Sequence, residues 1–182
     1  MLLFKKKITE KQASASFVLS MVEKTRDAWP TVYENLSDSY GDKFIIEDQR
    51  MATFDLALAA LAQEIQAFKN LFPKEQSERL RKWVLACIDS PEYGEYAKSE
   101  VEEYDESFQQ SFKNIENPLD AVSARLLHRW LGENVKNFDV EIDGKKTGII
   151  DPLLVMQVTN ILITFTGTWK MIKENLRLIE GN

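Results

Sequence analysis

Large apolar residues recur at intervals of three and four positions along residues 51–72. This spacing places them on one stripe of an α-helix. Alanines fill most of the remaining positions, so the helix is apolar on more than one side. The pattern therefore predicts a central helix covered by several neighbours, and its stripe consists of Met51, Phe54, Leu58, Leu61, Ile65, Phe68 and Phe72.

Prolines and capping residues divide the rest of the chain into further helices. Thr9 and Gln12 have the spacing of a capping box, for a first helix that we expect to end near Trp29. Because proline is favoured in the first turn of a helix, we expect one helix to begin at each of Pro30, Pro73, Pro91, Pro118 and Pro152. The last helix keeps the same apolar spacing as far as Ile179.

One segment has a strand pattern instead. Phe138, Val140 and Ile142 alternate with acidic residues and lead into Asp143-Gly144, a sequence typical of a hairpin turn. We therefore predict an all-α, single-domain fold for residues 1–182. It is a bundle of six or seven helices with a small β-hairpin insertion near residues 138–150, and residues 1–8 are expected to be frayed.

The acidic charge of the chain is concentrated in one segment. The whole chain has a net charge of −6, whereas residues 89–106 alone carry −7. Since the chain has no basic stripe, nucleic-acid binding has no electrostatic basis and is not expected. The acidic segment is either a solvated face or a docking surface for a basic partner, with candidate docking residues Glu95, Glu102, Glu103 and Glu106.

Neither an export signal nor a membrane span is evident in the chain. The apolar residues at the N-terminus precede the lysines, which is the reverse of the order in a secretory signal. Residues 152–169 are uncharged, but their Gln, Asn and Thr residues favour a buried helix over a membrane span. We expect a cytoplasmic protein without a transmembrane segment, and the single Cys87 excludes an internal disulfide.

Asp55 is the only charged residue in the first half of the central helix. If that helix is buried, the Asp55 carboxylate needs a cation or hydrogen-bond donors from another element. Arg125, His128 and Arg129 are spaced to supply them from one side of the helix that begins at Pro118. One interpretation is a structural ion pair. The other is a ligand pocket between the central helix, the sixth predicted helix (which begins at Pro118) and the last helix. Its lining would consist of Asp55, Arg125, His128, Gln157 and Asn160.

No metal site or cofactor site is predicted. Asp139, Glu141, Asp143 and Gly144 resemble the first half of a calcium-binding loop, but Ile150 stands where that loop needs its final glutamate. A chain with a single histidine and a single cysteine cannot form a paired-histidine or multi-cysteine site.

The sequence contains neither a nucleophile with its base nor a phosphate-binding loop, so catalysis is not expected. We interpret the protein as a non-enzymatic module that binds a partner protein or associates with itself as a homo-oligomer. The apolar stripes of the central and last helices are candidate seams for that association. The alternative is a helical small-molecule-binding or sensory domain that uses the pocket described above.

Overall fold

The computed structural model describes residues 5–89, 94–113 and 117–180. Seven α-helices lie within these ranges, together with two short 3₁₀ segments and two two-stranded sheets. The fold is therefore mostly helical with a small hairpin, as the sequence predicted. In chain order the elements are β1 (Lys6–Thr9), α1 (Glu10–Tyr40), α2 (Gln49–Leu71), α3 (Lys74–Cys87), α4 (Gly94–Lys113), α5 (Pro118–Leu131), β2 (Asp139–Ile142), β3 (Lys145–Ile150), α6 (Pro152–Ile163), α7 (Thr168–Asn175) and β4 (Leu176–Ile179).

Helix α2 is the central helix that the sequence predicted. Its neighbours are α1, α3, α4, α5, α6 and α7. Leu56, Leu58 and Leu61 are fully buried, and the alanines between them are buried as well. Small side chains on several faces allow neighbouring helices to approach closely, which explains why one helix can be covered from so many directions.

The first prediction that fails concerns Pro30. The sequence predicted a helix boundary there, but α1 is continuous from Glu10 to Tyr40 with Pro30 inside it. Trp29, Val32 and Leu36 on both sides of the proline are buried in the core, whereas Pro30 itself is exposed. Burial of one continuous apolar face therefore outweighs the cost of the proline, which is about 3 kcal/mol in a helix interior. The predicted capping box of Thr9 is confirmed at the start of the helix.

The second failure concerns the end of the chain. The predicted last helix is broken into α6 and α7, and the chain then continues as strand β4. Gly167 lies at the break with a φ of 88°, a conformation that favours glycine. Strand β4 pairs in parallel with β1 (Lys6–Thr9), so part of residues 1–8, which we expected to be frayed, forms a strand.

The remaining boundaries agree more closely with the sequence. Helices α5 and α6 begin at Pro118 and Pro152, and α3 begins directly after Pro73. Pro91 lies outside the described residues. Strands β2 and β3 form the predicted hairpin, whose turn at Asp143 and Gly144 has positive φ at both residues. No described helix is both long enough and apolar enough to cross a bilayer.

Candidate functional site

Asp55 lies in a polar cluster between α2, α4 and α5. Its side chain is buried, as the apolar surroundings in α2 predicted. The hydroxyl of Tyr96 on α4 donates a hydrogen bond to Asp55 Oδ1 at 2.6 Å, and Arg129 Nη2 on α5 donates to the same hydroxyl at 2.8 Å. Burial raises the pKa of the Asp55 carboxyl, while the Tyr96 hydrogen bond and the charge of Arg129 oppose that rise. The Tyr96 hydroxyl therefore links the Asp55 carboxylate to the Arg129 guanidinium.

A second buried carboxylate continues the cluster. Glu100 accepts a hydrogen bond from Arg129 at 2.5 Å and a longer one from Arg125 at 3.4 Å. Arg125 also donates to Glu103 and lies over the ring of Tyr104, 5.6 Å from its centroid. Each carboxylate is thus compensated by a hydrogen bond or a guanidinium, which a buried charge requires.

The chemistry available to this cluster is limited by its tyrosines. Burial and the neighbouring Asp55 raise the pKa of the Tyr96 hydroxyl far above its ordinary value, and burial raises that of Tyr104 as well. Both hydroxyls therefore keep their protons at physiological pH, and the Tyr96 hydroxyl donates its hydrogen bond to Asp55. The arrangement ties α2, α4 and α5 together.

The five residues predicted to line one ligand pocket occupy different places. Asp55 and Arg125 belong to the polar cluster. His128 is exposed and lines a separate cavity of about 460 Å³ beside the hairpin. Gln157 is half-buried on α6, and its Oε1 has no hydrogen-bond partner among the described residues. Asn160 is exposed on the outer side of the same helix.

Two residues of the cluster, Tyr96 and Glu100, were missed because they lie in the segment that was interpreted as a solvated or docking face. A signal was present in the sequence. Tyr96, Glu100 and Glu103 recur at intervals of four and three, directly beside the buried stripe of Ala97, Val101 and Tyr104. A polar stripe next to an apolar one marks the boundary of a buried helix face.

The four predicted docking residues differ in their surroundings. Glu95 and Glu106 are exposed. Glu102 lies 3.9 Å from Arg81 on α3, and Glu103 is paired with Arg125. Arg81 also faces Asp105, and Arg125 also faces Glu100, so the charges of Glu102 and Glu103 are only partly compensated within the protein.

The outer face of α6 is the second surface with a recognisable pattern. Leu153, Met156 and Ile163 are 62%, 51% and 47% exposed, although all three are large apolar residues. Together with the exposed Asn160, they form one stripe along the helix, which we call the α6 outer face. The opposite side, with Leu154, Val158 and Leu162, is buried against the bundle. An exposed apolar stripe of this kind marks an interaction surface more often than isolated apolar residues do.

Comparison with known proteins gives no family assignment. No family model, no curated protein and no solved structure matches this chain. Among the residues that the structure describes, no group of three or more His, Cys, Asp or Glu side chains could hold a metal ion.

Proposed function

We propose that the protein is a non-enzymatic interaction module that associates with a second copy of itself through the α6 outer face. The observation that supports this proposal is an exposed apolar stripe on a helix without charge. The candidate seams named from the sequence are used inside the protein, since Leu58, Leu61, Val158 and Leu162 are all buried. On α6, the large apolar residues that remain accessible to another molecule are those of the α6 outer face.

The spacing of the stripe suits a second copy of the same helix. Its members, Leu153, Met156, Asn160 and Ile163, are separated by three, four and three positions, an order that reads the same in both directions. A twofold axis perpendicular to the helix therefore brings Leu153 opposite Ile163 of the second copy, and Met156 opposite Asn160. Such an isologous contact is the commonest way in which identical chains associate.

Charge favours the same occupant. Two copies with a net charge of −6 each repel one another over most of their surface. Residues 152–163 contain no charged side chain, so this face brings the copies together with the least repulsion. A basic partner would instead prefer the acidic residues of α4, where Arg81 and Arg125 already compensate part of the charge.

The expected affinity is modest. Covering the exposed parts of three side chains in each copy is worth about 6–9 kcal/mol, taking about 1–1.5 kcal/mol for each half-exposed side chain. Association costs at least about 4 kcal/mol in lost translational and rotational freedom. The difference of about 2–5 kcal/mol corresponds to a dimer with a dissociation constant of about 0.2 mM to about 30 mM.

Sedimentation velocity over protein concentrations from about 5 µM to about 1 mM tests the proposal, because this range approaches the expected dissociation constant. Wild-type protein should show a rising dimer fraction. Leu153→Glu should reduce it by at least about tenfold in association constant, since it places two charges in an apolar contact. Leu19→Glu is the matched control, because Leu19 is 60% exposed but lies on α1. Equal dimer fractions in the wild type and in Leu153→Glu at about 1 mM, or equal losses in Leu153→Glu and Leu19→Glu, would refute the proposal.

A further inference from the structure

The parallel pair of β1 and β4 carries a basic surface that is separate from the polar cluster and from the α6 outer face. In the register of this pair Lys7 lies beside Arg177, and both residues are exposed. The next pair, Ile8 and Leu178, is partly buried against the core. Because successive side chains of a strand point to opposite faces, the solvent face of this sheet presents two neighbouring positive charges.

The end of α7 adds further basic residues to this surface. Lys5 Nζ donates a hydrogen bond to the backbone carbonyl of Lys173 at 2.8 Å, although the two residues are 168 positions apart in the sequence. Residues 5–9 and 168–179, which the fold brings together, contain six basic residues and one acidic residue. We call the exposed group at the solvent side of the sheet the basic face, and its members are Lys5, Lys7, Lys173 and Arg177.

The charges of the two strands are not compensated by carboxylates. Lys5, Lys7 and Arg177 form no ion pair with any residue that the structure describes. Glu180 directly follows β4, but it pairs with Arg79 on α3. Neighbouring strands lie about 4.8 Å apart, a distance at which like charges repel one another. An anionic surface over the basic face would remove this repulsion, so the charge of the face complements an anionic partner.

Large apolar side chains lie exposed beside these charges. Ile179 is 38% exposed and lies two residues after Arg177, on the same face of β4. Met171 is 54% exposed on α7, two residues before Lys173. Proteins that bind to the surface of an anionic bilayer combine these two features. Their basic side chains meet the lipid headgroups, and their apolar side chains enter the boundary of the acyl chains.

The same surface lacks what a nucleic acid requires. Proteins that bind single strands add aromatic side chains to a basic groove, because the bases stack on them. Neither β1 nor β4 contains an aromatic residue, and Trp169 of α7 is fully buried. The exposed side chains next to the charges are aliphatic, which favours lipid over bases.

The acidic charge of the protein is concentrated on another element. Strands β1 and β4 pack mainly on each other, on α1 and on α7, whereas the acidic helix α4 packs mainly on α2 and α5. Exposed charges are screened over about 8 Å at physiological ionic strength. The attraction between the basic face and lipid headgroups in direct contact with it is therefore screened less than the repulsion from α4, despite the net charge of −6.

We propose that the basic face docks the protein on anionic lipid bilayers. Lys7 and Arg177 lie against the lipid phosphates, and Ile179 lies at the boundary of the acyl chains. Binding is peripheral and reversible, and it weakens as the salt concentration rises. The α6 outer face takes no part in it, so this proposal and the proposed dimer contact can each fail without the other.

Co-sedimentation with lipid vesicles measures this binding. The wild type should bind vesicles with about one-third phosphatidylglycerol at least about tenfold more strongly than vesicles of phosphatidylcholine alone. Most of this preference should be lost at about 0.5 M salt, because salt screens the attraction. A single-stranded oligonucleotide should bind more weakly than the anionic vesicles do.

Paired variants separate the position of the charges from their number. Lys7→Gln combined with Arg177→Gln should weaken binding to the anionic vesicles about 25-fold, since each basic residue near such a membrane contributes about fivefold. Its melting temperature should be unchanged or higher, because two neighbouring like charges are removed. Lys145→Gln combined with Lys146→Gln is the matched control. It changes the net charge equally, but these exposed lysines belong to the other sheet, and binding should not change.

A conservative variant tests the role of charge itself. Arg177→Lys keeps the positive charge and should bind the anionic vesicles like the wild type. Equal binding of the wild type to both kinds of vesicle, or equal losses in the two double variants, would overturn the proposal. Tighter binding of the oligonucleotide than of the anionic vesicles would also overturn it, because the face would then serve a nucleic acid.

Discussion

The hydroxyl of Tyr96 joins the two charged sides of the polar cluster, and its removal in Tyr96→Phe is the most informative perturbation of the fold. The hydroxyl donates to Asp55 at 2.6 Å and accepts from Arg129 at 2.8 Å. A hydrogen bond to a charged group contributes about 1.5–3 kcal/mol, and the variant leaves a buried carboxylate without its donor. We therefore expect a loss of about 2–3 kcal/mol in the free energy of unfolding at pH 8.

The loss should depend on pH in a defined direction. Because burial raises the pKa of Asp55 in the folded protein, the folded state binds the Asp55 proton more tightly than the unfolded chain does. The contribution of Asp55 to stability therefore falls as pH rises from the unfolded pKa through the folded pKa. Tyr96→Phe removes an interaction that lowers the folded pKa, so the fall becomes larger. Below the folded pKa the carboxyl is neutral, and the variant should lose only about 1 kcal/mol.

Urea unfolding followed by tryptophan fluorescence at several pH values measures these differences. Asp55→Asn supplies a background in which the carboxylate is absent, and there Tyr96→Phe should cost about 1 kcal/mol at every pH. Tyr104→Phe is the matched control on the same helix, because the Tyr104 hydroxyl is buried without a hydrogen-bond partner among the described residues. It should be neutral or stabilising. A loss in Tyr96→Phe that is the same at every pH would refute the assignment of Asp55 as the group that the hydroxyl stabilises.

Three further perturbations test the fold and the proposed contact. Glu64→Ala removes the acceptor of the N–H groups of Gly167 and Trp169. Urea titrations should show a free energy of unfolding that is lower by about 2–4 kcal/mol. Glu64→Gln should lose less, because its amide keeps one acceptor oxygen. Pro30→Ala restores the N–H that is missing from the interior of α1 and should raise the free energy of unfolding by about 1–3 kcal/mol. An unchanged free energy of unfolding would mean that the helix is already distorted around the proline. Asn160→Leu makes the α6 outer face fully apolar and should increase the association constant measured by sedimentation velocity at least about tenfold. An unchanged association constant would exclude Asn160 from the contact.

Local patterns predicted most of the helices, because helix starts and apolar stripes depend on neighbouring residues. The failures have non-local causes. Apolar spacing continues across Gly167, yet the break between α6 and α7 is stabilised by Glu64, 103 residues earlier. Strand β1 has only four residues, and its partner β4 lies near the other end of the described chain. Neither contact leaves a signal within a window of one helix or one strand.

The polar cluster was predictable only in part. The apolar surroundings of Asp55 in α2 implied burial and a partner on another element, and Arg125 and Arg129 were among the expected cations. The direct donor is Tyr96, which belongs to a segment whose dominant feature is acidic charge. Sequence spacing identifies the stripe on which Tyr96 lies, but it does not specify which face of α4 packs against α2. That choice depends on the bundle topology.

The junction of α6 and α7 lies between the end of the α6 outer face and a cavity of about 540 Å³ along the second half of α2. Thr166, Gly167 and Lys170 line one side of the cavity, and the α6 outer face ends at Ile163 just before the break. Glu64 stabilises this break by accepting hydrogen bonds from the backbone. Burial raises the pKa of its carboxyl and thus disfavours its charged form. An apolar side chain at position 64 would avoid this desolvation penalty but would leave the N–H groups of Gly167 and Trp169 without the acceptor that Glu64 supplies, so the buried acid stabilises the break on balance.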